Sequence, residues 1–372
     1  MARNVLLVLL LVLICSAAGC IHPETIPPSI TPVVTDEPIR LVDHSFLFEE
    51  SSVTISIPID PAVYYGARDA DKLIYLYKDL DDEEWLPIYY AAFMNDPQQE
   101  RFYTDLISML QSVRRDLLLD DDRYLELCSV FVQSLPYDDD TTLIEPKFPI
   151  ETYADGTGDC DDKSLLLAAI LVREGYDVAL FFFSEEKHMT VGIRADGCFD
   201  QESGYAYIET TKTHFVGLKP QNLSGGLVLS STPLIIPVGD GTRGYGRCDE
   251  TTTLADLLVF CREEINRLKD EMEVDLAGIL VMEEEISLRR VDLNLLMREG
   301  RYQEYNLGIS GYNAMIDRYN ARLNRYNDLV RDADRLVEIH NLILERGYDR
   351  QGLYDQMIQE GIIDEMKRGS SQ

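Results

Sequence analysis

Thr157-Gly-Asp-Cys-Asp-Asp-Lys-Ser-Leu-Leu-Leu-Ala-Ala-Ile-Leu-Val-Arg-Glu-Gly175 decides how the chain is read. A glycine-containing loop runs into an apolar helix at Cys160, and Gly175 supplies a helix-ending residue. A cysteine at a helix start faces unpaired N–H groups and the positive end of the macrodipole, which favour thiolate over thiol. A nucleophilic cysteine needs that bias, and a structural one does not. The chain is therefore read first as a candidate thiol enzyme.

Downstream the pattern changes from helical to alternating. Asp177–Phe183, Lys187–Arg194 and Gly204–Thr211 are three short strands in close succession. A helix followed by closely spaced antiparallel strands indicates an α+β domain. His188 opens the second strand, 28 residues after Cys160, and Glu209 lies in the third. A thiol needs a base to take its proton and a third group to orient that base. Neighbouring antiparallel strands bring such side chains together when they face the same way. Cys160, His188 and Glu209 are thus the candidate nucleophile, base and orienter.

Gly158-Asp-Cys-Asp-Asp-Lys-Ser, then His188-Met, then Tyr207-Ile-Glu-Thr-Thr together resemble the core of the transglutaminase-like superfamily. The nearest likeness is to its bacterial and archaeal cysteine protease branch, and it spans about residues 120–215. The resemblance implies a papain-like fold, with cysteine at a helix N-terminus and histidine and an acid on neighbouring strands. It implies a peptide or protein substrate and an acyl-enzyme route. Two departures are visible: glutamate stands where the family has aspartate, and 21 residues separate His188 from it. Asp200 is the reserve orienter and His214 the competing base. Tyr205 or Tyr207 takes the place of the family's tryptophan. Asp159, Asp161 and Asp162 crowd the nucleophile and oppose its ionisation unless they turn into hydrogen bonds or are neutralised by Lys163 or a cation. Clustered carboxylates suit Ca²⁺, which the protease branch binds, so calcium is expected near these three while no cofactor is required. The alternative is a catalytically inactive binding or scaffold lipoprotein on the same fold.

The 372 residues include 66 acidic and 34 basic ones, a net charge of −32. That balance excludes nucleic acid and anionic lipid surfaces as partners, because both require clustered Lys and Arg. Residues 1–19 read as a signal peptide: Arg3 is followed by apolar Val5–Ile14, too short to span a bilayer. Ala17-Ala-Gly-Cys20 resembles the lipobox of prokaryotic lipoproteins, which predicts export, lipidation at Cys20 and anchoring on the outer membrane face. The Pro- and Thr-rich residues 20–40 read as an extended tether. With Cys20 lipidated and Cys160 free, Cys128, Cys198, Cys248 and Cys261 permit two disulfides, whose pairing the spacing leaves open.

The α+β domain is expected over 41–245, with a strand at Val53–Ile59 and helices over 98–119 and 122–135. Residues 251–346 form a second unit. Leu254, Leu258, Cys261, Ile265, Leu268 and Met272 step at helical spacing. Tyr305, Tyr312, Tyr319 and Tyr326 recur every seven, with Ile309, Ile316, Leu323, Val330 and Val337 four residues after tyrosine-type positions. This predicts an antiparallel helical hairpin turning near Glu299-Gly300, with rings packed and hydroxyls wet, and it offers a route to self-association. Residues 347–372 read as a tail, frayed from Lys367 onward.

Overall fold

The computed structural model describes residues 25–138, 145–198, 203–220, 223, 226 and 228–369. The signal peptide, Cys20, Asp200 and residues 370–372 lie outside them. The chain divides into two compact units that meet in sequence at Gly246–Arg247.

The first unit is the expected α+β domain. A hairpin of β2 (Arg40–Phe48) and β3 (Ser51–Ile59), following a two-residue β1 (Thr25–Ile26), buries Val53, Ile55, Ile57 and Ile59 on one face. Helices α1 (Pro61–Arg68), α2 (Asp82–Asn95), α3 (Glu100–Asp116) and α4 (Asp121–Ser134) follow, with a two-residue β4 (Tyr75–Leu76) between the first two. Asp81, Asp120 and Asp159 each cap a helix by accepting backbone N–H bonds. Then come α5 (Pro149–Asp155) and α6 (Cys160–Arg173). A four-stranded antiparallel sheet is ordered β7 (Tyr205–Ile208), β6 (His188–Arg194), β5 (Asp177–Phe183), β8 (Leu234–Asp240).

Every residue of α6 from Asp162 to Leu171 is buried. A helix apolar on all sides belongs inside, and α6 lies between the sheet and helices α2, α4 and α5. Helix content, the three strands and the start of α6 agree with the sequence reading. β8 is a strand the periodicity does not reveal, because Pro237 and Gly239 interrupt it. It pairs on the sheet's edge with a register shift at Val178/Ala179, the place where proline is tolerated.

The Pro- and Thr-rich segment is docked from residue 25 onward and is not a free tether there. Thr25–Ile26 pairs with Tyr75–Leu76, Ile30 is buried, and its N–H donates to Asp96 Oδ2 at 2.8 Å. Burial of Ile30 and two anchoring hydrogen bonds, the second from Val33 N to Ala62 O, offset the ordering entropy that a free tether would keep.

The second unit is the expected hairpin: α7 (Cys248–Arg298) and α8 (Tyr302–Glu345) joined at Gly300, whose φ of 74° favours glycine. Its seam differs by one residue from the sequence reading. The packed partners of the tyrosine series lie three residues on, at buried Gly308, Leu329 and Ile343 and partly buried Leu336, while Val337 is 40% exposed. Adjacent apolar pairs such as Leu336-Val337 allow either choice, and only packing decides. The tyrosines sit half-buried, and Tyr319 Oη donates to Glu283 at 2.7 Å, a wet hydroxyl above a packed ring. Asp275 occupies the seam almost fully buried, 3.0 Å from Arg322 Nε and 3.3 Å from Arg325 Nε, a device that fixes register. Residues 347–369 are not a frayed tail. Helices α9 (Arg350–Gln359) and α10 (Ile362–Gly369) bury Leu353, Met357, Ile362, Ile363 and Met366.

Candidate active site

Cys160 is the first residue of α6, placed there by reciprocal capping. Asp159 accepts from the N–H groups of Asp161 and Asp162, and the Asp162 side chain accepts from Asp159 N. Gly158 lets the loop approach this turn. A Cβ there would lie 2.8 Å from Asp162 Cβ and 3.0 Å from Thr152 Cγ2, neither of them the end of a flexible chain. Gly158→Ala is therefore expected to push the helix start outward, costing about 1–3 kcal/mol in urea unfolding and lowering Cys160 reactivity in parallel.

The Cys160 thiol faces the first residues of β6. Its Sγ donates to the carbonyl of Lys187 across 3.9 Å, and the amide of Met189 acts on the same sulfur, so the contacts bracket His188. Ser164, one turn into α6, fixes this approach by donating to Met189 O at 3.2 Å and sharing a hydrogen bond with Thr210 at 3.1 Å. Helix, second strand and the residues after the third strand are thus tied together beneath the site.

The sheet register supplies the other contact. Val191 pairs with Ile208, so continuing the ladder sets Thr190 opposite Glu209 and makes His188 its diagonal neighbour on the same face. His188 Nε2 lies 3.4 Å from Glu209 Oε2, with both side chains buried. The approach is too oblique to count as a hydrogen bond, which leaves Nε2 buried without one. With Nε2 turned to the acid, Nδ1 is the ring nitrogen left for the thiol. Glu209 itself is held tightly. Tyr207 Oη donates at 2.6 Å, and Thr211 donates through its amide at 2.8 Å and its hydroxyl at 2.5 Å. Burial alone would push this carboxyl up. The charge of the nearby His188, with the hydrogen bonds of Thr211 and Tyr207, outweighs that and holds it at about 2. Of the two tyrosines named as tryptophan substitutes, Tyr207 touches the acid, whereas Tyr205 bonds Asp177.

The electrostatics at the sulfur run against the simple helix-start argument. Burial pushes the Cys160 thiol up, and the carboxylates of Asp161 and Asp159 add to that, with only the Met189 amide opposing. The three aspartates stay close, with ligand oxygens within 4.8 Å of one another. Burial raises the carboxyls of Asp161 and Asp162, with Asp159 contributing to both. Asp162 also accepts from Lys147 N at 2.5 Å and has Lys147 Nζ at 3.9 Å. All three carboxylates already accept backbone N–H groups around the helix start, Asp161 from Asp162 N at 2.8 Å. The trio is compact enough for a cation, and no step below depends on one.

Lys163 does not neutralise the aspartates. It is wholly buried, its ammonium donating to the carbonyls of Leu135 at 2.7 Å and Gln133 at 3.2 Å, and burial lowers it to about 8. Its charge acts instead on Glu209 from behind. Gln133 extends this support: its amide donates to Glu209 O and His214 O and accepts from His214 N. The sequence reading names Lys163 only as a counterion for the aspartates and does not name Gln133, although a lysine inside an otherwise apolar helix is itself a signal. His214 has its ring pushed down to about 4, first by burial and then by Lys212, so it is neutral at working pH.

Cys198 and Cys248 are disulfide-bonded, while Cys128, Cys160 and Cys261 are free thiols. Cys128 and Cys261, which the sequence leaves open to pairing, are fully buried thiols instead. The chain matches no known family model, and neither a curated protein nor a solved structure matches it.

Proposed function

We propose that the protein is a transglutaminase-like thiol hydrolase with a papain-like core, cleaving a peptide or side-chain amide through Cys160, His188 and Glu209. The observation that carries this is the convergence of the half-buried Cys160 at the α6 start with the buried first residue of β6 and the buried acid beyond β7. As substrate enters, His188 takes the thiol proton and the sulfur attacks the carbonyl carbon. The Cys160 amide, uncommitted among the described residues, lies beside the developing oxyanion. Imidazolium then protonates the leaving amine, and Glu209 stabilises that cation. Water, deprotonated by His188, releases the acyl group from sulfur. Hydrolysis is preferred to cross-linking because no residue set marks an amine-acceptor site.

The chain is further proposed to be exported and anchored on the outer face through Cys20. The disulfide-bonded Cys198 and Cys248 support an oxidising compartment. Among the described residues no helix is long and apolar enough to cross a membrane. A second reading, a transglutaminase-like binding or scaffold lipoprotein without turnover, draws on the raised thiol.

Alkylation kinetics separate the two. Iodoacetamide is expected to modify Cys160 ahead of the fully buried Cys128 and Cys261, and His188→Ala is expected to slow that modification about tenfold or more near neutral pH. An alkylation rate indifferent to His188→Ala would favour the inactive reading.

A further inference from the structure

Docking of the segment that begins at residue 25 leaves the proposed anchor a short reach. Cys20 stands only five residues before Thr25, where β1 is already paired with β4. The bonds from Ile30 N to Asp96 and from Val33 N to Ala62 O hold the following residues on the domain. Five fully extended residues span about 18 Å at most. The headgroup layer through which the chain leaves a bilayer takes roughly 5–7 Å of that. About 11–13 Å is left, little more than the diameter of one helix. β1 and its neighbours are therefore the part of the domain that an anchor at Cys20 turns toward the bilayer.

The residues around β1 suit that position. Ile26, Leu73, Tyr75, Leu76 and Tyr77 are all exposed, Tyr77 to 66%. They form one patch. Ile26 pairs with Tyr75 and Thr25 with Leu76 across the two strands, and Ile26, Leu73 and Tyr75 share the wall of an open cleft of about 490 Å³. In sequence the patch centres on Lys72-Leu-Ile-Tyr-Leu-Tyr-Lys78, an uncharged run of five between lysines in a chain of net charge −32. Tyrosine beside leucine and isoleucine is the composition favoured at a membrane–water boundary, where the ring is buried and the hydroxyl stays wet. Tyr75 Oη keeps such a polar end, donating to Asp71 Oδ2 at 2.6 Å. Asp69 and Asp71 line the same cleft, so the lipid surface that fits is zwitterionic, not anionic.

We propose that Ile26, Leu73, Tyr75, Leu76 and Tyr77 form a membrane-contact patch that seats the first unit on a zwitterionic lipid surface, a proposal that rests on the reading of Cys20 as the anchor. Full-length acylated protein in phosphatidylcholine vesicles, with bromine atoms high on one acyl chain, tests it by tryptophan quenching. Trp85→Phe removes the native tryptophan, and Tyr77→Trp or Leu118→Trp supplies a single reporter. Leu118 is 85% exposed and follows the far end of α3 from Asp96, the residue that holds Ile30. The Tyr77→Trp reporter is expected to be quenched about threefold or more above the Leu118→Trp reporter. Adding Leu73→Asp and Leu76→Asp is expected to bring that quenching down to the Leu118→Trp level, with far-UV helicity and vesicle retention unchanged. Equal quenching at the two positions in anchored protein overturns the patch. Quenching that ignores the two aspartates also overturns it, because the short tether alone then accounts for the proximity. Mass spectrometry of the same sample reads Cys20 directly: a chain without acyl groups there removes the anchor, and the proposal with it.

Discussion

Cys160→Ala is expected to lower cleavage of an unfolded protein substrate such as reduced casein by about 10⁴-fold or more, the usual consequence of removing a covalent nucleophile. The same change should leave thermal stability nearly untouched. The sulfur is only half-buried, its one hydrogen bond is a weak thiol contact to Lys187 O, and the capping that begins α6 belongs to Asp159 and Asp162. Loss of activity without loss of fold is therefore the specific signature. Cys160→Ser sharpens the test, because it keeps an oxygen at the site but loses a good nucleophile and leaving group, and is expected to be nearly as inactive. Turnover that survives in Cys160→Ala, measured on protein freed of contaminating proteases by an inactive His188→Ala control, would remove the enzymatic assignment.

What the sequence made legible here is the part governed by local rules. The start of α6 was readable because a polar loop turns abruptly into an apolar helix, and the strands because polar and apolar residues alternate. His188 and Glu209 followed from the alternation, and the register then set them as diagonal neighbours. What stayed hidden depended on tertiary contacts. Thr25–Val33 looks like a free tether because proline and threonine dominate it, yet burial of Ile30 docks it. Lys163 looks like a counterion for its neighbouring aspartates, but helix geometry carries its ammonium inward to the end of α4. The raised thiol has the same origin: the macrodipole acts over one turn, while desolvation by the packed strand acts on the whole group.

Glu209→Gln should separate catalysis from mere scaffolding. The substituted amide keeps the size and most of the hydrogen bonding of the acid but cannot carry charge opposite an imidazolium, so activity is expected to fall about 10³- to 10⁴-fold. Stability responds in a pH-dependent way whose sign follows from the depressed carboxyl. In the unfolded chain a glutamate titrates near 4.3, whereas folded Glu209 holds its charge down to about 2. Its ionised form therefore contributes stability that is fully present above about pH 4.3 and is lost as pH falls toward 2. The gap corresponds to about 3 kcal/mol, integrated over that acid window. The wild type should accordingly lose stability between pH 4.3 and 2 faster than Glu209→Gln, and urea unfolding curves for the two proteins should converge at the acid end. Parallel acid profiles for both would mean that Glu209 is not held ionised by His188, Thr211 and Tyr207, and the orienter of the proposed triad would have to be sought elsewhere. If the profiles converge while the Gln variant retains full turnover, the carboxylate is a structural anchor of the β7 end, and the catalytic base works without it.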